Sequence, residues 1–182
     1  MIEVRFHGRG GQGAVTSAEL MALAAIAEGK YAQAFPSFGP ERRGAPVQAF
    51  LRISDQPIRL REKIYQPDVV VVLDPSLLAS GNVKAGLKEG GTLVANSSKP
   101  VEAVQGECGF SGRTAVADAS KIAEEELGVP ITNTTMLGVL LKAVELVKMD
   151  SIKGPLDGRF GKQGVKNFGA LSRAFNETTI KE

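Results

Sequence analysis

The run PDVVVVLD at positions 67–74 sets the strongest limit on the fold. Its consecutive valines show no polar alternation, so a strand built from them presents apolar side chains to both faces. Such a strand needs cover above and below, as at the centre of a parallel sheet flanked by helices. Thr92–Ala95 reads as another central strand, and the stretch 109–117 contains one more near Ala115–Ala117. The expected class is α/β.

The chain of 182 residues is long enough for one full core, and no internal repeat or linker composition divides it. Residues 1–182 are therefore expected to form a single domain. A net charge of +2 gives no field that points to nucleic acid or to an anionic membrane. Cys108 and His7 are the only residues of their types. One thiol makes no internal disulfide and cannot hold an iron–sulfur cluster, which needs about four thiolates. A zinc site built from His and Cys fails on the same count, and no Ser/His/Asp arrangement can be built. No catalytic residue and no metal ligand is therefore assigned. The first residues enter a strand-like run directly, with no secretory leader pattern, and no apolar stretch reaches the length of a membrane span. A cytoplasmic location is expected.

Ile2, Val4 and Phe6 alternate with polar residues as a strand does, and Ala14–Glu28 has helical spacing and stops at Gly29. Between them, HGRGGQGA places Gly8, Gly10 and Gly13 in a G-x-G-x-x-G pattern that opens a βαβ unit. Glycines let backbone amides approach an anion, and the helix N-terminus adds partial positive charge. The candidate contacts are Gly8, Arg9, Gly10, Gly11, Gln12 and Gly13. Arg9 adds a fixed cation, and Gln12 is a residue that a simple turn does not need. No acid stands about twenty residues on at the end of a second strand, and no Gly-Lys-Ser/Thr occurs, so neither the dinucleotide nor the P-loop pattern is complete. The bland alternative is a tight turn packing helix on strand. His7 reads as a structural histidine beside this loop.

Residues 30–46 read as an unusually long connection. Within it, SFGPERRGAP holds Arg42 and Arg43 between two prolines. Guanidinium groups bind carboxylate and phosphate in a bidentate way, and aromatics beside arginine are typical of interfaces. Phe35, Phe38, Gly39, Pro40, Glu41, Arg42 and Arg43 form the candidate interface, with a solvated charge cluster as the alternative. Val47–Ile53 and Ile58–Arg61 read as a β-hairpin over 47–61, and Pro75–Leu87 as a helix. Asp74 is either a site residue at a strand end or a cap. Asp118 caps a helix that Gly128 closes. The stretch 131–147 reads as a buried helix, with Asn133, Thr134 and Thr135 as caps or ligand contacts. Cys108 is expected as an inert thiol in a glycine-flanked loop, and 161–182 as an amphipathic helix.

GRGGQGAVTSAELMA, FPSFGPERRGAPVQAFLRI, PDVVVVLD and TNTTMLG together closely resemble the gamma subunit of 2-oxoacid:ferredoxin oxidoreductases, nearest to the pyruvate synthase and branched-chain 2-oxoacid group. The likeness runs from residue 2 to about residue 176. It implies a three-layer α/β/α sandwich with a mostly parallel sheet. It also implies a complex that oxidatively decarboxylates a 2-oxoacid, forms acyl-CoA and passes electrons to ferredoxin. Thiamine diphosphate, Mg and [4Fe–4S] clusters would reside in alpha, beta and delta partners. This chain would carry none of them alone, would have no catalytic residue, and would contact coenzyme A at a shared site through the glycine loop, Asn133 and Thr134. LDGRFG at 156–161 has an Asp-Gly pair but no preceding strand and no matching Asn, so it does not make a thiamine site. The alternatives are a branched-chain 2-oxoacid oxidoreductase gamma subunit, a stand-alone nucleotide-binding protein with a degenerate Rossmann loop, and a purely structural subunit.

Overall fold

The computed structural model describes residues 1–37, 42–80 and 82–182. One seven-stranded sheet organises them, in the order β2-β3-β1-β4-β5-β6-β7. The strands are β1 (Ile2–Arg9), β2 (Tyr31–Pro36), β3 (Pro46–Ser54), β4 (Val69–Val72), β5 (Thr92–Asn96), β6 (Thr114–Ala117) and β7 (Thr179–Lys181). Strands β1, β4, β5 and β6 form a parallel centre. Strands β2 and β3 on one flank and β7 on the other pair antiparallel.

The valine run behaves as its composition requires. Val69 and Val71 enter one core, and Val70 and Val72 enter the other. The first core is covered by α1 (Ala14–Ala27), α3 (Ala119–Leu127), α4 (Asn133–Ala143), α5 (Lys153–Phe160) and α6 (Gly164–Glu177). The second is thinner, covered by α2 (Val101–Cys108) and the irregular stretch around Leu77, Leu78 and Val83. Three unequal α/β/α layers result.

The helix expected over 161–182 ends at Glu177, because Thr179–Lys181 leaves it to pair with β6, and four other expectations fail for identifiable reasons. The stretch 30–46 is not one connection, because Tyr31–Pro36 forms edge strand β2. Its inward residues are Ala32 and Ala34, too small to give a visible alternation, and Pro36 is tolerated at the strand's end on the sheet edge. The hairpin partner of β3 is consequently β2, and Ile58–Arg61 is not a strand. Both edges of β3 are already taken, by β1 and β2, so no ladder remains for a returning arm. The expected helix 75–87 is only a 3₁₀ turn over Pro75–Leu77 followed by further turns. Gly86 has a left-handed φ of 75°, and a Cβ there would stand 2.1 Å from the Tyr65 carbonyl oxygen. Cys108 ends helix α2 rather than lying in a loop, and Gly109 supplies the left-handed exit. The thiol is buried and bonded to the Val104 carbonyl, and burial pushes its pKa up, as suits an inert side chain.

The opening unit is also modified. Strands β1 and β2 run in the same direction around α1, but β3 is inserted antiparallel between them, giving a split βαβ unit. Where a Rossmann unit has its second parallel strand, this chain has β3. The start of β3 carries the 42–45 segment to the carboxyl end of β1, directly beside the glycine loop.

Candidate functional site

The chain leaves β1 toward β2 and β3, and leaves β4 toward β5 and β6. The carboxyl ends of β1 and β4 therefore flank the topological switch point, where open α/β sheets place ligands. Four side chains meet there. Gln12 accepts from the Arg9 amide at 2.7 Å and donates to Asp74 Oδ2 at 2.6 Å. Arg9 donates to Ser76 Oγ at 3.1 and 2.8 Å and lies 3.6 Å from Asp74. Asp74 also accepts from the Ser76 amide and hydroxyl. Burial works against ionisation of Asp74, but the bonds from Ser76 and Gln12, with Arg9 nearby, hold its carboxyl below the usual range.

This network explains Gln12. The turn does need it, as a strut joining the glycine loop to the end of β4. It also commits Arg9, whose guanidinium bonds the Gly44 carbonyl as well as Ser76. The two sequence motifs thus touch. The Gly10 amide donates to the Ala45 carbonyl, and a Cβ on Gly10 would stand 2.9 Å from the Arg42 carbonyl oxygen. Gly8 lies within β1, facing Gln12 and Leu73, and reaches no cleft.

Gly11 and Gly13 differ from these. Both have positive φ, 92° and 79°, and Gly13 starts α1 with no side-chain cap. The first amides of α1 have no intrahelical acceptor. Asn133, the first residue of α4, packs against Gly13 so closely that a Cβ there would stand 2.5 Å from Nδ2. The beginnings of α1 and α4 therefore meet at the floor of a cleft of about 570 Å³. Arg159, Lys166 and Asn167 stand around it, and Leu127, Val129, Ile131 and Phe160 make an apolar wall. Thr134 is not part of this lining: it is wholly buried, with its hydroxyl on Asn167 Oδ1 at 2.7 Å. Of the expected caps at α4, Asn133 takes the Thr134 amide on its Oδ1 at 2.8 Å, Thr132 at the cap position makes no side-chain bond to the helix start, and the Thr135 hydroxyl is buried without a partner among the described residues.

Of the candidate interface residues, Phe38, Gly39, Pro40 and Glu41 lie outside the described residues. Arg42 and Arg43 are exposed. Phe35 is half-buried: its ring lies 5.1 Å from that of Phe50, and the Arg52 guanidinium sits 5.5 Å above it. Sequence reasoning missed Ser76, Arg159, Lys166 and Asn167, which come to the site from three elements, the turn after β4, α5 and α6, and carry no motif. Among the described residues no group of three His, Cys, Asp or Glu side chains could hold a metal ion, and no helix is long and apolar enough to cross a membrane.

The model of the pyruvate ferredoxin/flavodoxin oxidoreductase family matches residues 3–177. The chain belongs to that family. It is 55% identical, over the full length of both chains, to the gamma subunit common to the pyruvate and ketoisovalerate oxidoreductases of Thermococcus kodakarensis. It is 49% identical to pyruvate synthase subunit PorC of Methanocaldococcus jannaschii, over 100% of this chain and 99% of that one. The crystal structure of the pyruvate oxidoreductase subunit PORC from Thermotoga maritima superposes with a TM-score of 0.89 at 40% identity, covering 100% of this chain and 98% of that one. A 2-oxoglutarate:ferredoxin oxidoreductase from Magnetococcus marinus, with 2-oxoglutarate, coenzyme A and succinyl-CoA bound, shares the fold. There the TM-score is 0.71 at 22% identity, over 96% of this chain and 30% of that one. Within the family the chain is a gamma-type, or PorC-type, subunit.

Proposed function

We propose that the chain is the gamma subunit of a multi-subunit pyruvate (2-oxoacid):ferredoxin oxidoreductase of the cytoplasm. In that complex alpha, beta and delta subunits hold thiamine diphosphate, Mg and [4Fe–4S] clusters, which supply decarboxylation and electron transfer to ferredoxin. The observation that carries the reading is the full-length identity to gamma and PorC subunits. The donor set agrees with the division of labour, since a single buried thiol cannot ligate a cluster.

This chain's own contribution is contact with coenzyme A and with its partner subunits. Gly11 presents open backbone beside the start of α1, where an anion is favoured, and Gly13 next to it is covered on its Cβ side by Asn133. The Magnetococcus enzyme, which shares this fold, has coenzyme A bound. The Arg9–Gln12–Asp74–Ser76 network holds the loop's shape, so Arg9 orients the loop before it meets any phosphate. The 42–45 segment, packed on Gly10, carries exposed Arg42 and Arg43 outward toward a partner.

Co-expression with the partner chains tests the reading. Pyruvate-dependent, coenzyme-A-dependent reduction of ferredoxin is expected with all subunits and is expected to vanish when this chain is left out. The pure chain alone is expected to contain no iron or thiamine and to show no activity. Activity of the pure chain, or full activity of the complex without it, overturns the proposal.

Replacing both arginines, R42A/R43A, is expected to weaken assembly while leaving the melting temperature of the free chain within about 2 °C. Exposed charges contribute well under about 1 kcal/mol to stability, whereas an arginine buried at an interface is worth about 2 kcal/mol or more. Sedimentation of the reconstituted complex, set beside melting of the free subunit, separates the two effects. Unchanged assembly with a lowered melting temperature makes the segment a structural element only.

A further inference from the structure

We propose that a second pocket, on the sheet face opposite α1 and α4, binds the carboxylate of a small organic acid through the His7 ring. The proposal stands apart from the coenzyme A reading, because it uses neither the cleft described above nor any helix start. Alternation along β1 sets the arrangement. Val4 and Phe6 enter the core that α1 and α4 cover, so Arg5 and His7 project from the other face. There His7 lines a pocket of about 550 Å³. Leu77 and Val83, from the stretch after β4, line it too, with Val47 and Gln48 from the start of β3. Gln48 lies directly opposite His7 in the β1–β3 register.

Two features of this row of side chains point to a ligand. Arg5 is a guanidinium only 6% exposed, and no carboxylate among the described residues pairs with it. Glu3, the next residue on the same face, is taken by Arg52 at 2.8 Å and Lys88 at 3.7 Å. Arg5 instead donates to the Val83 and Ala85 carbonyls and, through Nε, to His7 Nε2 at 2.9 Å. Buried charges are ordinarily paired with opposite charge, and this one is not. The second feature is the far side of the His7 ring, which is also 6% exposed. With Nε2 accepting, Nδ1 carries the ring proton, and that N–H has no acceptor among the described residues. The Thr135 hydroxyl is the one fully enclosed side-chain polar atom left unpartnered among them, so the His7 N–H opens onto the pocket it lines. The ring therefore stands between an unbalanced cation and open space. An anionic oxygen on Nδ1 would receive a donor polarised by the guanidinium behind it and would supply the missing counter-charge.

The remaining walls select the kind of anion. No carboxylate lines the pocket, so nothing in it repels negative charge. Leu77 and Val83, both buried, and Val47 give it an apolar side that inorganic phosphate would leave wet. A short-chain acid places its carboxylate on His7 and its carbon chain on that side. The volume is that of a small-molecule site, and the recessed ring suits a free acid better than a side chain of a folded partner.

His7 is the only histidine, so nitrogen-15 NMR of the labelled full chain reads a single imidazole. The test is titration with butyrate, butyramide and inorganic phosphate at constant ionic strength. Butyrate is expected to move the Nδ1 resonance saturably, and butyramide and phosphate to bind at least about tenfold more weakly. N82D sets a carboxylate in the pocket wall at an exposed residue. It is expected to weaken butyrate at least about tenfold at an unchanged melting temperature. N176D, the same change at an exposed residue of α6, is expected to leave binding unaltered. No saturable shift up to about 50 mM butyrate overturns the site. So does binding that is indifferent to N82D. Butyramide binding as tightly as butyrate makes the pocket an apolar cavity, and phosphate binding as tightly makes it a general anion site; either result overturns the organic-acid assignment. A shift of the His7 resonance that appears only when partner subunits are added gives the counter-charge to a partner side chain and overturns it as well.

Discussion

Gly138→Ala is expected to destabilise the protein by about 3 kcal/mol or more, the upper range for overpacking a close core contact. For a chain of this size that lowers the melting temperature by roughly 6–12 °C. Gly138 sits in the middle of α4, where α4 crosses α6. A Cβ built there would lie 2.0 Å from the Leu171 carbonyl oxygen and 2.9 Å from its carbon. These are backbone atoms of α6, so no side chain can rotate away, and the helices must separate. Separation would open the packing of Leu137, Val139 and Leu171, all fully buried. Gly169→Ala, on the other helix of the same pair, is the internal contrast. Nothing lies within 4 Å of a Cβ there, and glycine inside a helix costs about 0.5–1 kcal/mol relative to alanine. That substitution is expected to raise stability slightly. Calorimetric melting of both variants decides the matter: equal, small shifts would mean that α4 and α6 do not pack this closely.

How much of this fold a sequence reveals depends on what each element has to bury. Strand β4 was legible because valine on both faces has one structural solution. The unit β1–turn–α1 was legible because its glycines interrupt two clear periods. Strand β2 was hidden because Ala32 and Ala34 fill its core-facing positions, and alanine marks no strand. The stretch 75–87 misled because its Leu and Val spacing is compatible with a helix, while Gly86 is pinned in a left-handed turn by the Tyr65 carbonyl. That contact is tertiary and has no local signature. The true partner of β3 depended in the same way on β1 and β2 occupying both its edges, which local pattern cannot report.

The site divides along similar lines. The glycine loop announced itself, yet its members have separate duties. Gly10 makes room for the 42–44 backbone, Gln12 ties the loop to Asp74, and only Gly11 and Gly13 reach the open cleft. Asn133 was legible as a residue at a helix start. Arg159 and Lys166 were not, since each is an ordinary charge on a helix. Their significance comes from α5 and α6 bringing them to Gly13, more than 140 positions earlier in the chain.

His7 is expected to make the protein lose about 2 kcal/mol of stability between pH 7 and pH 5, above the range where carboxylates titrate. It is the only histidine. It lies on central strand β1, 6% exposed, and its Nε2 accepts from Arg5 Nε at 2.9 Å. The ring proton is therefore on Nδ1. Protonating Nε2 would set a new N–H against the guanidinium N–H and place two positive charges side by side. Arg5 cannot turn away, because Nη2 is bonded to the Val83 carbonyl at 3.0 Å and to the Ala85 carbonyl. Burial first, and the Arg5 charge second, push the His7 pKa down to about 3. In the unfolded chain the same ring titrates near its ordinary value of about 6.5. The folded value is the lower one, so the stabilisation is complete above pH 6.5 and is lost as pH falls through the interval down to about 3. One pKa unit is worth about 1.4 kcal/mol, which gives about 2 kcal/mol by pH 5. Asp74 and Glu28, whose carboxyls are held below their ordinary values, begin to add their losses only as pH falls to those ordinary values, about 4–4.5, beneath the pH 5–7 limb. His7→Gln keeps an acceptor for Arg5 without a titrating ring, and is expected to flatten the pH 5–7 limb while leaving the lower one in place. Urea unfolding at pH 7, 6, 5 and 4 measures both. A wild-type stability that is level from pH 7 to 5, or a slope that survives in His7→Gln, would mean that the ring is not held neutral by Arg5.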